Sequence, residues 1–441
     1  MFSWLAGMFS LLLLSNCVSS LVVLSLAIPG YMMYSYKTST YVEDIMCCMN
    51  EMNGMLMFMT ISLAVLIYLS SAYFNTSSYN LVFFLLIMAI MLCFSSSGLL
   101  GFYIFFEISL LPILVMIISW GYQPERMQAG LYMIFYTVFG SLPLFFLILW
   151  LGQTLGTSSL YLMWNMQFAK MPWLFYVGFL AFLIKLPMWS LHVWLPKAHV
   201  EAPLGGSMIL AGALLKLGGY GLYIYNMIGV APMFNISSIA WSFLAMWGGL
   251  CASLMCLNQS DVKGMIAYSS IVHMSLVVMG ILSNTAWGIF CALITMVAHG
   301  WTSSALFLCA FITYEKVGSR SFNYTKGILN AYPALSLFWF LYSMVNMAVP
   351  PTINLLGELA AVPVALWFSL FMLFVLILIM FMSVTYNMYM YVKINHSFMS
   401  PVIVCSQGIS ARWFLTLFSH LIPLSMLFAL DMMSLYTGIC M

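Results

Sequence analysis

The stretch AFLIKLPMWSLHVWLPKAHVEAPLGGSMILAGALLKLGGYGL, residues 181–222, sets the reading of the whole chain. It joins two apolar runs that read as membrane spans near 172–195 and 203–225. A lysine is central in each, Lys185 and Lys216. A spanning helix needs about 20 mostly apolar residues, because in lipid the backbone amides must be satisfied within the segment. A charge at the centre of such a helix costs about 2.5–3.5 kcal/mol on insertion scales. Pro187 follows shortly after Lys185. A proline inside a span removes an amide donor and frees carbonyls that only a cavity or a neighbouring helix can satisfy. The stretch therefore reads as membrane helices, one of them broken, that keep charges where charges are costly.

Composition extends that reading to both ends. Hydrophobic residues make up 64% of the 441 and charged residues 5%, against about a quarter charged in a soluble protein. Twelve Lys and Arg against ten Asp and Glu leave a net charge of +2, which is no footprint for nucleic acid. The ten cysteines form no C-x-x-C, and Cys47–Cys48 is a lone vicinal pair. The clustered spacing of an iron–sulfur or zinc site is missing, so the cysteines read as small apolar fillers and no metal or cofactor is expected in this chain. Gly-rich phosphate loops are missing too, and Met1 runs into apolar sequence without the basic stretch of a cleavable signal.

Further apolar runs fall near 54–73, 79–97, 98–119, 127–151, 236–257, 264–283, 286–314, 333–362, 364–391 and 413–437. Residues 1–36 read as two short helices, which makes an all-α polytopic membrane protein of about 14 transmembrane helices. The runs are continuous and far longer than the roughly ten-residue alternating strands of a membrane β-barrel. Basic loop residues test the parsing. Arg126, Lys197, Lys263, Lys316, Arg320, Lys326, Lys393 and Arg412 fall on one face, and Lys37 and Lys170 on the other. This positive-inside bias makes the first face the cytoplasm-like or matrix-like side and puts both termini opposite.

Six ionisable residues lie near the centres of spans. Glu107 is central in GLLGFYIFFEISLLPILV at 98–115, and His273 and His299 are central in 264–283 and 286–314. Glu358 follows Pro350-Pro351 in NMAVPPTINLLGEL at 346–359, where the prolines split a run that would otherwise be one helix. With Lys185 and Lys216, four mid-bilayer ions cost on the order of 10–14 kcal/mol, as much as a domain's whole net stability of roughly 5–15 kcal/mol. Packing alone would account for one buried Lys–Glu pair or one bridging histidine. Six such groups at a common depth form a row along the membrane plane, which is what a water-joined proton relay requires.

The row also has a repeat in it. Glu107 to Lys185 and His273 to Glu358 each cover two span intervals. Five spans at 79–225 would match five at 236–391, the odd number inverting the second copy and each copy holding one broken helix. Residues 1–78 and 392–441 would flank this core as further membrane helices.

With these residues in hand, the chain resembles the NADH-ubiquinone oxidoreductase chain 4 family, the mitochondrially encoded, antiporter-like, proton-pumping subunits of respiratory complex I. The similarity lies in SWGYQPERMQAGLYMIFYT (119–137), the 181–222 stretch with its WLPKAHVEAP block, DVKGMIAYSSIVHM (261–274), MVAHGWTSSALF (296–307), YEKVGSRS (314–321) and NMAVPPTINLLGEL. It covers about 98 to 360. The resemblance implies that Glu107 and Lys185 form the Glu–Lys pair of the first half-channel and that Lys216 joins the two halves. It implies that His273 and His299 line the connecting path and that Glu358 is the terminal acid of the second half-channel. His192, read as two helical turns from Lys185, would line the same route. The resemblance also implies a place in the mitochondrial inner membrane among other membrane-arm subunits, including neighbouring antiporter-like ones, and lipids such as cardiolipin. NADH, FMN, iron–sulfur clusters and ubiquinone are then expected in other subunits.

Three rivals share some of these features. A multi-subunit cation/proton antiporter would carry the same Glu–Lys–Lys pattern. A membrane cytochrome would use His273 and His299 as axial ligands, and a membrane scaffold would use the buried ions for packing alone. The group Lys197, His199 and Glu201, on the matrix-side face, reads equally as an entry network, a subunit contact or a solvated loop, and Glu125 with Arg126 reads equally as solvated loop charges or a local ion pair.

Overall fold

A computed structural model of the chain describes residues 42–43, 48–49, 51–71, 76–165, 172–229, 236–401 and 408–425. The two-helix reading of residues 1–36 and the part of the last span beyond 425 fall outside them. Apart from a two-residue antiparallel ladder, β1 (Val42–Glu43) with β2 (Cys48–Met49), the described elements are helices. In chain order they are α1 (Glu51–Ser70), α2 (Ser77–Ser95), α3 (Leu99–Ile108), α4 (Leu110–Trp120), α5 (Arg126–Leu155) and α6 (Leu160–Asn165). Then come α7 (Pro172–Lys185), α8 (Trp194–Glu201), α9 (Leu204–Ile209), a π-turn at Leu210–Leu214 and α10 (Leu215–Gly229). The remainder are α11 (Ile236–Leu257), α12 (Val262–Leu282), α13 (Ala286–Val317), α14 (Ile328–Ala331), α15 (Pro333–Asn346), α16 (Ile353–Phe368), α17 (Leu370–Asn395) and α18 (Ala411–Ser425).

Among the described residues, nine helical stretches are long and apolar enough to cross a membrane, and Ile353–Phe368 is a shorter apolar helix. The chain packs as two units, residues 1–186 with 201–234 and residues 187–200 with 235–441. In the first, α9 packs on α1, α10 on α7, and α7 on α5. The span Leu204–Ile228 is 94% buried, against 33% for Leu99–Trp120, so the former is the inner helix and the latter lies at the surface of the unit. In the second unit, α12 packs between α11 and α13, and α13 also meets α15, α16 and α18. Here Val262–Leu282 is the inner helix, 94% buried.

Local chemistry sets the boundaries. The Thr285 hydroxyl accepts from Gly288 N at 3.0 Å and starts α13, and Gly318, at φ 72°, ends it in the left-handed region where glycine pays no steric cost. Both expected breaks are present, and one expected boundary moves. The run 333–362 stops at Asn346, because Pro350-Pro351 supply no N–H donors, and resumes at Ile353. The second piece passes through Pro363 to Phe368. The next helix starts at Leu370, where the Ser369 side chain accepts from Met372 N at 3.2 Å. The boundary expected at 363 therefore lies at a capping serine. A single missing donor is tolerated inside a membrane helix. Likewise 172–195 is two helices, ending at Lys185 and resuming at Trp194.

Each break holds a non-glycine residue in the left-handed region, Ser190 at φ 80° and Ala348 at φ 57°. For an L-residue this conformation costs roughly 1–2 kcal/mol. Ala348→Gly is therefore expected to stabilise the folded protein by up to about 1 kcal/mol after the added freedom of the unfolded chain is offset. The check is the heat-inactivation midpoint, and a fall would mean that the buried methyl's packing outweighs its backbone strain.

Candidate functional site

The first unit brings three of the expected residues onto neighbouring helices. Glu107 is the penultimate residue of α3, where the expected continuous span 98–119 is interrupted at Ser109. The Ser109 hydroxyl turns back to donate to the Phe106 carbonyl at 2.7 Å. That carbonyl also accepts from Lys185 Nζ at 3.1 Å, and the ammonium lies 2.9 Å from the centre of the Phe106 ring. The ring's negative face attracts a cation most strongly where water is excluded, and Lys185 is only 4% exposed. The Glu107 carboxylate is near enough for its charge to act on Lys185, yet its buried Oε1 has no hydrogen-bond partner among the described residues. Lys185 thus rests on the Phe106 carbonyl and ring.

Lys216 is fully buried near the start of α10 and donates to the Ala211 carbonyl at 2.5 Å. Ala211 lies in the π-turn, whose wider hydrogen-bond pattern leaves a carbonyl open to a side chain. The helices of the two lysines approach closely at Gly218. A Cβ there would stand 3.1 Å from the Lys185 Cβ and from the backbone nitrogen of Leu186.

The second unit brings together the two histidines. The His273 ring on α12 and the His299 ring on α13 lie 5.4 Å apart, tilted by 43°. At that spacing the two rings pack directly on one another. Glu358 is half-buried on α16. The preceding Gly357 is what lets α16 settle on α13: an added Cβ would fall 2.6 Å from Thr295 Cγ2, and the Gly357 carbonyl accepts from Cys291 Sγ at 3.3 Å. The helix break beside it is closed by side-chain amides. Asn354 Nδ2 donates to the Val345 carbonyl and Asn346 Nδ2 to Asn387 Oδ1, each at 2.9 Å.

His192 needs correction. The helix ends at Lys185, so the two residues share no helical face. His192 packs within the second unit instead, stacked on Trp189 at 4.7 Å and edge-on to Tyr268 at 5.8 Å, with its buried Nδ1 unbonded among the described residues. Lys197, His199 and Glu201 lie on α8 rather than in a loop. His199 and Glu201 are buried, and the His199 ring stacks on Phe307 at 4.7 Å. Arg126 donates to the Gly121 carbonyl at 2.9 Å.

Sequence reasoning missed three polar groups. Asp261 and Arg320 form an ion pair at 3.3 Å that pins residues 260–262 to 320–322. His420 on α18 is fully buried, its Nδ1 bonded to the Thr416 carbonyl at 2.6 Å and its Nε2 unbonded among the described residues. Tyr386 on α17 is fully buried. The only signal in the sequence was a polar residue within an apolar run, which is weak for a tyrosine in a chain holding 25 of them.

Comparison with known proteins places these residues in a family. Residues 96–385, well over half of the chain, match the model described as NADH:quinone oxidoreductase/Mrp antiporter, TM. An NADH-ubiquinone oxidoreductase chain 4 from Locusta migratoria is 41% identical over 429 residues, which are 94% of this chain and 95% of that one. The chain belongs to the NADH-ubiquinone oxidoreductase chain 4 family. A second member, from Albinaria caerulea, is 43% identical over 371 residues, 83% of this chain and 84% of its own length. A chain of the respiratory complex I of Thermus thermophilus, solved with bound NADH, shares the fold at a TM-score of 0.88 and 20% identity, over 99% of this chain and 97% of that one. Glu107, Lys185, Lys216, His273, His299 and Glu358 of this chain 4 family member all fall inside the matched 96–385, and α18 with His420 falls beyond it.

Proposed function

We propose that the chain is a proton-translocating subunit of the membrane arm of respiratory complex I in the mitochondrial inner membrane. Protons step between Glu107, Lys185, Lys216, His273, His299 and Glu358 with water between them, and His192 serves the same route. NADH oxidation, with FMN and iron–sulfur clusters, and ubiquinone reduction take place in other subunits, whose changes of shape or charge drive the steps here. The neighbours are other membrane-arm subunits, antiporter-like ones among them, and lipids such as cardiolipin. The two broken helices support an inverted pair of half-channels at 79–225 and 236–391 within flanking segments 1–78 and 392–441.

One observation carries the reading. The Lys185 ammonium is held by a carbonyl and a ring while a buried carboxylate oxygen stands unbonded within reach of its charge. A structural ion pair would be closed, because a buried charge left unpaired is costly. A desolvated lysine keeps or sheds its proton according to which charge is near.

The second reading, a cation/proton antiporter, is favoured by the Mrp antiporters that the family model also covers. NADH-driven proton transport by vesicles holding the whole complex separates the two. The proposed function expects transport that is indifferent to replacing Na⁺ and K⁺ by an impermeant cation, and Glu358→Gln should lower it at least fivefold. A strict requirement for a metal cation would establish the antiporter instead.

A further inference from the structure

Three buried asparagines meet at the break between α15 and α16. Asn346 is the last residue of α15, Asn354 stands in the first turn of α16, and Asn387 lies on α17. A buried amide is costly unless it is hydrogen-bonded, and each of these three is. Asn387 Nδ2 donates to the Ser383 carbonyl of its own helix at 2.8 Å, and its Oδ1 accepts from Asn346 Nδ2 at 2.9 Å. Asn354 Nδ2 donates across the break to the Val345 carbonyl at 2.9 Å. That carbonyl also accepts from the Ala348 N–H at 3.0 Å, where the chain turns out of α15. The amides thus link α17, the end of α15 and the start of α16 in series. Asn354 comes four residues before Glu358, so the two lie one helical turn apart on the same face of α16. A hydrogen bond is directional and apolar packing is not. An apolar side chain of the same size would close the break, whereas the amide also sets the rotation of α16 about its axis.

We propose that Asn354 is a positioning residue for Glu358, aiming the carboxylate through its bond to the Val345 carbonyl while Asn346 and Asn387 anchor that end of α15. The amide exchanges no proton itself. Its effect is geometric, because a proton passes only between heavy atoms about 2.6–3.2 Å apart, directly or through one water, and a helix free to rotate carries its carboxylate out of that range. This rests on the reading of Glu358 as the end of the second half-channel.

The test is NADH-driven proton release by the assembled complex in sealed vesicles, followed across pH. Asn354→Leu keeps the bulk of the side chain and removes the donor, and Asn354→Gln keeps the donor on a longer arm. With Asn354→Leu, release per assembled complex is expected to fall about threefold or more and its pH midpoint to move by about half a unit or more. Asn354→Gln is expected to keep at least about half of the wild-type release, at the wild-type midpoint. Added to Glu358→Gln, Asn354→Leu should lower release no further, because the two act through one group. Wild-type release and midpoint with Asn354→Leu, beside a loss with Glu358→Gln, overturn the positioning role and leave the proposed function standing. A further fall in the double variant also overturns it, since Asn354 would then act apart from Glu358. Normal release with Glu358→Gln overturns it together with the role given to Glu358. Asn354→Ala removes the donor without apolar bulk, and loss of assembled complex with both it and Asn354→Leu overturns the proposal too, because the bond would then be holding structure alone.

Discussion

Glu107→Gln is expected to cut proton transport at least tenfold while the complex assembles in normal amount. Glutamine keeps the size and shape of glutamate and removes only its charge, so packing at the end of α3 is preserved. Insertion becomes easier, since a mid-bilayer ion costs about 2.5–3.5 kcal/mol. Lys185 is not stranded by the change, because the Phe106 carbonyl at 3.1 Å and the Phe106 ring still hold its ammonium. What disappears is the charge that acts on Lys185. Proton release in vesicles, normalised to assembled complex, makes the measurement. If assembly failed and the surviving complex pumped normally, Glu107 would be a packing residue.

Lys216→Met should be as severe, with transport reduced at least tenfold. Lys216 is fully buried and reaches the Ala211 carbonyl within the π-turn. Methionine has nearly the same reach and suits an apolar site, so α10 should stay packed. The carbonyl loses its donor, at about 1–3 kcal/mol, while the removal of a buried charge offsets a comparable amount. Stability should therefore change little and transport greatly. The same assay, with a native gel for assembly, decides it. Wild-type transport would mean that the proton path bypasses Lys216.

What could be read in the sequence was whatever leaves its mark on composition. The spans announced themselves as runs of about 20 apolar residues, and the charges within them stood out because they are costly there. Pro187 and Pro350-Pro351 announced the broken helices, since a missing donor cannot be hidden. Features decided by competition were hidden. Pro363 looked like a boundary and was tolerated, whereas Ser369, an ordinary polar residue, capped the next helix. His192 was placed by helical periodicity across a segment that is not helical, so the periodicity had no meaning there. Phe106 was invisible as a lysine holder, because its carbonyl is part of the backbone and its ring is one of 34 phenylalanines.

The turn at Leu210–Leu214 has no such marker either, since LAGAL is compatible with an ordinary α-helix. Its wider loop takes in one residue more than the α pattern would, and each residue of an α-helix advances the chain by about 100°. The compass bearing of Lys216 relative to Leu204–Ile209 is therefore written by a single surplus amino acid. The loss of one residue anywhere in that short arc would swing the ammonium more than a quarter of the way round its own axis while leaving every side chain of the helix chemically the same.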